Sequence, residues 1–314
     1  MYIRLAITLT LLMGVFTSCD EDKITVDVCK NLSDRTYDET IERYPWAGEE
    51  RFYKMDPGLL CEKTHEVYAE VVPADPIENA VMIISPHAGW QYSGIVSASA
   101  FSRVTIPDLV ILIGNNHRNN GENYAVWTDL PWAFPFGNVP VDEILAQKLV
   151  DEIPTLVDDR AAHLEEHSNE VQVVWLRHLN PNIRIVPVAI NFTADLSLLL
   201  DLGNQIGTVL SGIEEPFLVI ATTDLTHYKP VEEVNTKDAF VIDPMVSMDS
   251  TGLFNAQIDN QVNMCGREPV IVGLEAAKVL GATKSELIMH RTSYDAYQTG
   301  EDNAVGYVSI VYSK

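Results

Sequence analysis

The chain has 314 residues, 46% of them apolar and 21% charged, with 21 Lys and Arg against 45 Asp and Glu for a net charge of −24. That composition is globular rather than disordered, and the length is enough for a full hydrophobic core without disulfide staples. So acidic a chain has no basic stripe with which to displace phosphate counterions, which excludes DNA or RNA as partners, and anionic lipid headgroups offer it no attraction.

Residues 1–4 carry one positive charge and lead into an uncharged, almost wholly apolar run from Leu5 to Phe16. The run is too short to span a bilayer, which takes about 20 residues, but it has the size of the apolar part of an export signal. Phe16-Thr17-Ser18-Cys19 resembles the lipobox of bacterial lipoproteins, with Phe where Leu is usual. Residues 1–18 are therefore read as a lipoprotein signal peptide and Cys19 as the lipidated residue. This implies an exported protein of the bacterial cell envelope, with the lipid as its only membrane attachment. Residues 19–45, polar and without a sustained period, read as a tether, and 46–314 as a single α/β domain. In an oxidising compartment Cys29, Cys61 and Cys265 cannot all pair within one chain. A Cys29–Cys61 disulfide is one arrangement the sequence allows without fixing it, and Cys265 is the thiol to follow.

Beyond the tether, short continuous β-branched runs at 81–84, 109–113, 185–190 and 217–220 predict strands buried on both faces. Helical patterns near 94–103, 141–151, 168–179, 195–210 and 269–280 fall between and after them, and 305–312 closes the chain as a further strand. Val171, Val174, Trp175 and His178 share one helical face. Repeated β-then-α order predicts a three-layer αβα fold around a central, mostly parallel or mixed sheet.

Three of these strands run directly into polar segments. Strand 81–84 leads into Ser85-Pro86-His87-Ala88-Gly89, strand 109–113 into Gly114-Asn115-Asn116-His117, and strand 217–220 into Thr222-Thr223-Asp224-Leu225-Thr226-His227. Ligands of open α/β sheets sit beyond the carboxyl ends of the strands, so three histidines delivered to that edge can converge, and flanking glycines permit close backbone approach. Glu166-His167-Ser168-Asn169-Glu170 opens a helix that Ser168 can cap and whose first turn suits Glu170. Cys265 precedes another helix with Pro269 in its first turn, where backbone N–H groups are expected to lower its thiol pKa.

Pro86-His87-Ala88-Gly89, Gly114-x-x-His117, Glu166-His167-Ser168-x-Glu170, Asp224-x-x-His227-Tyr228 and Cys265-Gly266-Arg267-x-Pro269, in that order, resemble the MEMO family, also called AmmeMemoRadiSam system protein B. The resemblance runs from about Arg43 to the C-terminus. It implies the fold of class III extradiol dioxygenases, which use non-haem iron(II), with His87, His117 and Cys265 as metal ligands. It further implies Asp224 and His227 as an acid/base pair beside the metal, and Glu166, His167 and Glu170 as a polar wall of the pocket. The sequence departs from the family at Pro45-Trp46, in the spacing of Ala47-Gly48 to Phe52-Tyr53, and at Arg118, where relatives often carry histidine. Two imidazoles and a thiolate are softer than two imidazoles and a carboxylate, which favours copper, permits iron and makes zinc the lesser choice. The expected function is a metal-binding protein with an iron or copper site, as an oxygen-dependent oxidoreductase related to the dioxygenases. The alternative is a non-catalytic envelope module that holds metal or a small-molecule or peptide ligand.

Other readings compete locally. His163-Leu164-Glu165-Glu166-His167 fits the inverted zinc-peptidase pattern, which requires one helix from 163 onward, yet the better helix begins at Ser168. Cys265 as a nucleophile would take His227 as base and Asp224 to orient it. Trp90, Tyr92, Trp127, Trp132, Phe134, Phe136 and Tyr228 line a ligand groove or pack the core. His65, His178 and His290 read as structural or solvated. The segment 223–227 can also be drawn as a capped turn.

Overall fold

The computed structural model describes residues 42–314. The predicted signal peptide, Cys19, Cys29 and most of the predicted tether lie outside the described residues. The fold is mixed α/β, a nine-stranded mixed sheet flanked by helices. The strands are β1 (Ala80–Ser85), β2 (Leu109–Asn115), β3 (Tyr124–Val126), β4 (Val157–Asp158), β5 (Arg184–Ile190), β6 (Phe217–Thr222), β7 (Asp224–Lys229), β8 (Lys284–Thr292) and β9 (Ala304–Ser313). They are ordered β4-β3-β5-β2-β6-β1-β9-β7, with β8 paired to β9.

The centre, β5-β2-β6-β1, is parallel. Those four strands are the continuous apolar runs, and every residue of β2 is buried, as a strand covered on both faces requires. Antiparallel strands finish the sheet. β8 runs along β9, whose opposite edge is shared: β1 takes residues 310–313 and β7 takes 304–307. β7 thus occupies the place of β1 beyond the point where β1 ends.

Strand parity separates the two covering layers. Ser85 and Ser309 point to one face, where they meet Ser97 and Ser99 of helix Trp90–Phe101. Met82, three residues before Ser85 and so on the opposite face, packs under Gly273 of helix Arg267–Val279. Helix Ser168–Leu179 joins the first layer, its Trp175 stacked on Trp90 with ring centroids 3.7 Å apart. Helices Leu196–Ser211 and Val231–Val246 join the second, the latter through Tyr312, whose hydroxyl donates to the Met245 carbonyl. Among the described residues no helix is long and apolar enough to cross a membrane.

The N-terminal stretch is fixed to the first layer by a buried ion pair. Arg43 Nη2 lies 2.8 Å from Glu170 Oε2, and both side chains are at most 1% exposed. Glu170 also accepts from the N–H groups of Ala47 and Gly48 and, at 2.5 Å, from the Tyr53 hydroxyl. The carboxylate predicted to serve the helix dipole and the pocket wall is thus turned to residues 43–53. Ser168 is not the cap of its helix: its hydroxyl donates to the Asn115 carbonyl, while Glu166 accepts from the Ser168 N–H.

Candidate metal centre

β1, β6 and β2 lie side by side and parallel, so their carboxyl ends open on one edge. Each delivers its polar residue just past its end. His87 stands two residues past Ser85, Asp224 two past Thr222, and His117 two past Asn115. Cys265 enters in the loop before helix Arg267–Val279, its N–H donating to the Asp224 carbonyl at 3.3 Å and its carbonyl accepting from the Asn115 amide. Gly266 makes this approach possible, because a Cβ there would collide with the Thr222 carbonyl and the Thr223 side chain.

One nitrogen from each of His87 and His117 and the Cys265 sulfur lie within 4.8 Å of one another. Donors so spaced have a common centre within about 2.8 Å of each, against bonds of about 2.0–2.3 Å to nitrogen and sulfur, so small side-chain adjustments bring all three onto one cation. His87 Nε2 is 3.1 Å from Cys265 Sγ, and its Nδ1 is 2.9 Å from Thr222 Oγ1. His117 Nδ1–H donates to Glu166 Oε1 at 2.9 Å, and Glu166 Oε2 accepts from the His117 N–H at 2.5 Å. Both imidazoles are therefore held by Nδ1, leaving Nε2 for a ligand, as a carboxylate–histidine–metal arrangement needs. His167 stacks on His117 at 4.5 Å, and its Nδ1 lies 3.3 Å from Glu166 Oε1.

Asp224 does not orient His227. Its Oδ1 accepts from the N–H groups of His87 and Ala88, which fixes the turn carrying His87. His227 Nδ1–H instead donates to the Leu225 carbonyl at 2.7 Å, leaving Nε2 as the basic nitrogen. The segment 223–227 is mostly strand rather than capped turn, because Asp224–Lys229 pairs with β9. A cavity of about 640 Å³ covers the centre, and its lining includes His87, His117, His167, Asp224, His227 and Cys265 but neither Glu166 nor Glu170.

Burial sets the protonation states. It holds His87 well below the ordinary imidazole range, helped by His117, His167 and His227. Burial also pushes the Cys265 thiol well up, and Asp224 adds to this, so the expected depression by the helix N-terminus is overridden. Asp224 is raised by burial, against the pull of His227. Burial alone would raise Glu166, but the His117 hydrogen bond, the charges of His167 and His117 and the Ser168 N–H bring it down to about 2.

Asp224, His227 and Cys265 also lie within 4.8 Å of one another, so the nucleophile reading shares the metal site, whereas the remaining readings fall elsewhere. His163 ends in a short helix, Ala161–Leu164, and is buried edge-on against Trp127 and Trp132, away from His167. Cys61, His65 and His178 also group, but Cys61 is disulfide-bonded. His290 pairs with buried Asp238 at 2.8 Å. Trp127, Trp132, Phe134 and Phe136 are core residues, whereas Tyr92 and Tyr228 line the cavity. Arg118 lies over the Trp46 ring. Phe52, from the Ala47-Gly48 to Phe52-Tyr53 stretch, also lines the cavity and packs on His167 at 4.6 Å, as does Tyr307, which no motif in the sequence marks.

A mixed sheet with two imidazoles and a thiol converging beyond its parallel strands defines an α/β protein with a candidate metal centre. The chain belongs to the Memo-like protein family, which matches residues 44–311. It is 33% identical to a MEMO1 family protein of Aquifex aeolicus over 83% of this chain and 96% of that one. It is likewise 33% identical to one of Methanothermobacter thermautotrophicus, over 82% and 96%. The solved structure of an uncharacterized protein of Escherichia coli K12 covers 74% of this chain and 99% of its own, at 14% identity and a TM-score of 0.48, a likeness too loose to bear on function.

Proposed function

We propose that the protein holds one iron or copper ion through His87, His117 and Cys265 and uses it as an oxygen-dependent oxidoreductase. The observation that carries this reading is the mutual approach of the three donors within 4.8 Å, with both imidazoles already anchored by Nδ1. The donor set fits such an ion: two neutral imidazoles, and a thiol whose proton a cation displaces. When bound, an iron or copper ion would supply the one-electron and oxygen chemistry that side chains lack.

The chain's own part is positioning and proton transfer. Glu166 sets the tautomer and direction of His117, and Thr222 fixes the direction of the His87 ring. Asp224 locks the turn between β1 and His87. His227, with Nδ1 engaged and Nε2 at the cavity, takes a proton from the substrate and returns it. Phe52, Tyr92 and Tyr228 provide apolar walls for an organic substrate.

Anaerobic purification and elemental analysis test the metal. About one equivalent of iron or copper per chain is expected in the wild type and near none in Cys265→Ser. Glu166→Gln is expected to weaken affinity by about 10–100-fold. Equal metal in wild type and Cys265→Ser sinks the site. Oxygen uptake with a panel of catechols tests the chemistry: His227→Ala is expected to slow it by about 10²–10⁴-fold at unchanged metal content. A metal-loaded wild type that consumes no oxygen with any of them favours the non-catalytic binding module.

A further inference from the structure

Cys61, His65 and His178 form a second group of metal-type donors. Cys61 and His65 stand four residues apart on helix Pro57–Ala69, so one face carries both. His178 meets them from the last turn of helix Ser168–Leu179, about 16 Å along that helix from His167. One donor atom from each lies within 4.8 Å of the other two, the same spacing as in the candidate metal centre. A common point is then within about 2.8 Å of all three, against bonds of about 2.0–2.1 Å to nitrogen and 2.3 Å to sulfur.

The imidazoles suit a cation. Their rings meet edge to face with centroids 4.8 Å apart. His65 Nε2 is buried and has no hydrogen-bond partner among the described residues, a cost that a bond to a metal removes. Burial holds both rings below their ordinary range, His178 at about 4, so both are neutral at pH 7, the form that ligates. Both residues are half-buried, which leaves a path from solvent and room for water as a fourth ligand, whereas Cys61 is 3% exposed. Cys61 is disulfide-bonded and Cys265 is free, so the partner of Cys61 lies outside the described residues. Sulfur ligates as the thiolate, which a disulfide withholds.

We propose that Cys61, His65 and His178 are a redox-gated zinc site, closed while Cys61 is held in its disulfide and open to Zn²⁺ once that bond is reduced. A dithiol reductant delivers two electrons and two protons to the disulfide, giving two thiols, and itself closes to a disulfide. Zn²⁺ then displaces the Cys61 thiol proton to solvent. Zinc is the fitting cation because it has no redox chemistry with which to oxidise the thiolate again. Once bound, it clips helix Pro57–Ala69 to helix Ser168–Leu179 in place of the covalent link that reduction removes. None of the three donors belongs to the candidate metal centre, so the two sites stand or fall separately.

The test is zinc titration of the full chain against a competing chromophoric chelator, before and after reduction by a phosphine under nitrogen. It is run in Cys265→Ser, so that the candidate metal centre lacks its thiol. Reduction is expected to create one tight site per chain, with zinc affinity rising about 100-fold or more. Co²⁺ in place of zinc should then show thiolate-to-metal charge-transfer absorption, absent from the disulfide form. Cys61→Ser should abolish both the gain and the absorption. His65→Gln and His178→Asn keep a polar side chain of similar size, and each should cut the gain by at least about 10-fold. Circular dichroism checks their folds, and either histidine variant alone decides. Equal zinc affinity before and after reduction overturns the gating. A gain that survives both histidine variants, as thiols alone would give, overturns the site.

Discussion

Glu170→Ala is expected to lower the unfolding free energy by about 3–5 kcal/mol. The change strands the Arg43 guanidinium, which is 1% exposed, without its counter-charge, and leaves the Tyr53 hydroxyl and the Ala47 and Gly48 N–H groups without their acceptor. A buried charge without a partner costs far more than the pair was worth. The damage reaches the candidate metal centre through Phe52, one residue from Tyr53, which lines the cavity over it. Urea titration should show a lower midpoint, and limited proteolysis should cut first within residues 42–56. A loss under about 1 kcal/mol would mean that the apolar contacts of Trp46 and Tyr53 suffice to hold the segment.

Acid should unfold the protein well above the pH at which its carboxylates titrate. Burial, with Arg43 adding to it, holds His163 at about 3, and burial with His65 holds His178 at about 4. In the unfolded chain both accept protons near 6.5. Burial likewise holds His167 at about 4 and His87 well below the ordinary range, so in the metal-free protein the unfolded state binds about four more protons than the native one once the pH drops below that value. Stability is full above about 6.5 and falls by about 5.4 kcal/mol per pH unit until these histidines protonate in place. Glu166, held at about 2, keeps its contribution above the ordinary carboxylate pKa and loses it further down, which prolongs the decline. The measurement is the urea midpoint between pH 4 and 8. His178→Leu should cut the slope by about a quarter, and a flat profile between pH 4 and 6.5 would refute the account.

The sequence revealed the parts of the fold that bury on both sides. Continuous apolar runs identified β1, β2, β5, β6 and β9, and the helices between them fell close to their predicted positions. Polar segments after β1, β2 and β6 marked the edge where His87, His117 and Asp224 stand. What stayed hidden depends on long-range pairing. Asp224–Lys229 has no strand pattern of its own and extends only because β9 lends it hydrogen bonds. Glu166 and Glu170 look alike on one helix start, yet one serves His117 and the other Arg43, which is 127 residues away in sequence. Helix Pro57–Ala69 carries a start signal in Asp56 as N-cap and Pro57 in its first turn, but its body mixes polar and apolar residues too evenly to stand out. The thiol of Cys265 shows the limit of local rules, since burial outweighs the helix terminus beside it.

His87 and Asp224 stand level beyond β1 and β6, and His117 stands beyond β2 on the far side of β6, so the pitch of the sheet, about 4.8 Å per strand, sets their spacing. The backbone alone lays out this frame, so the candidate site is a product of strand pairing rather than something assembled around an ion.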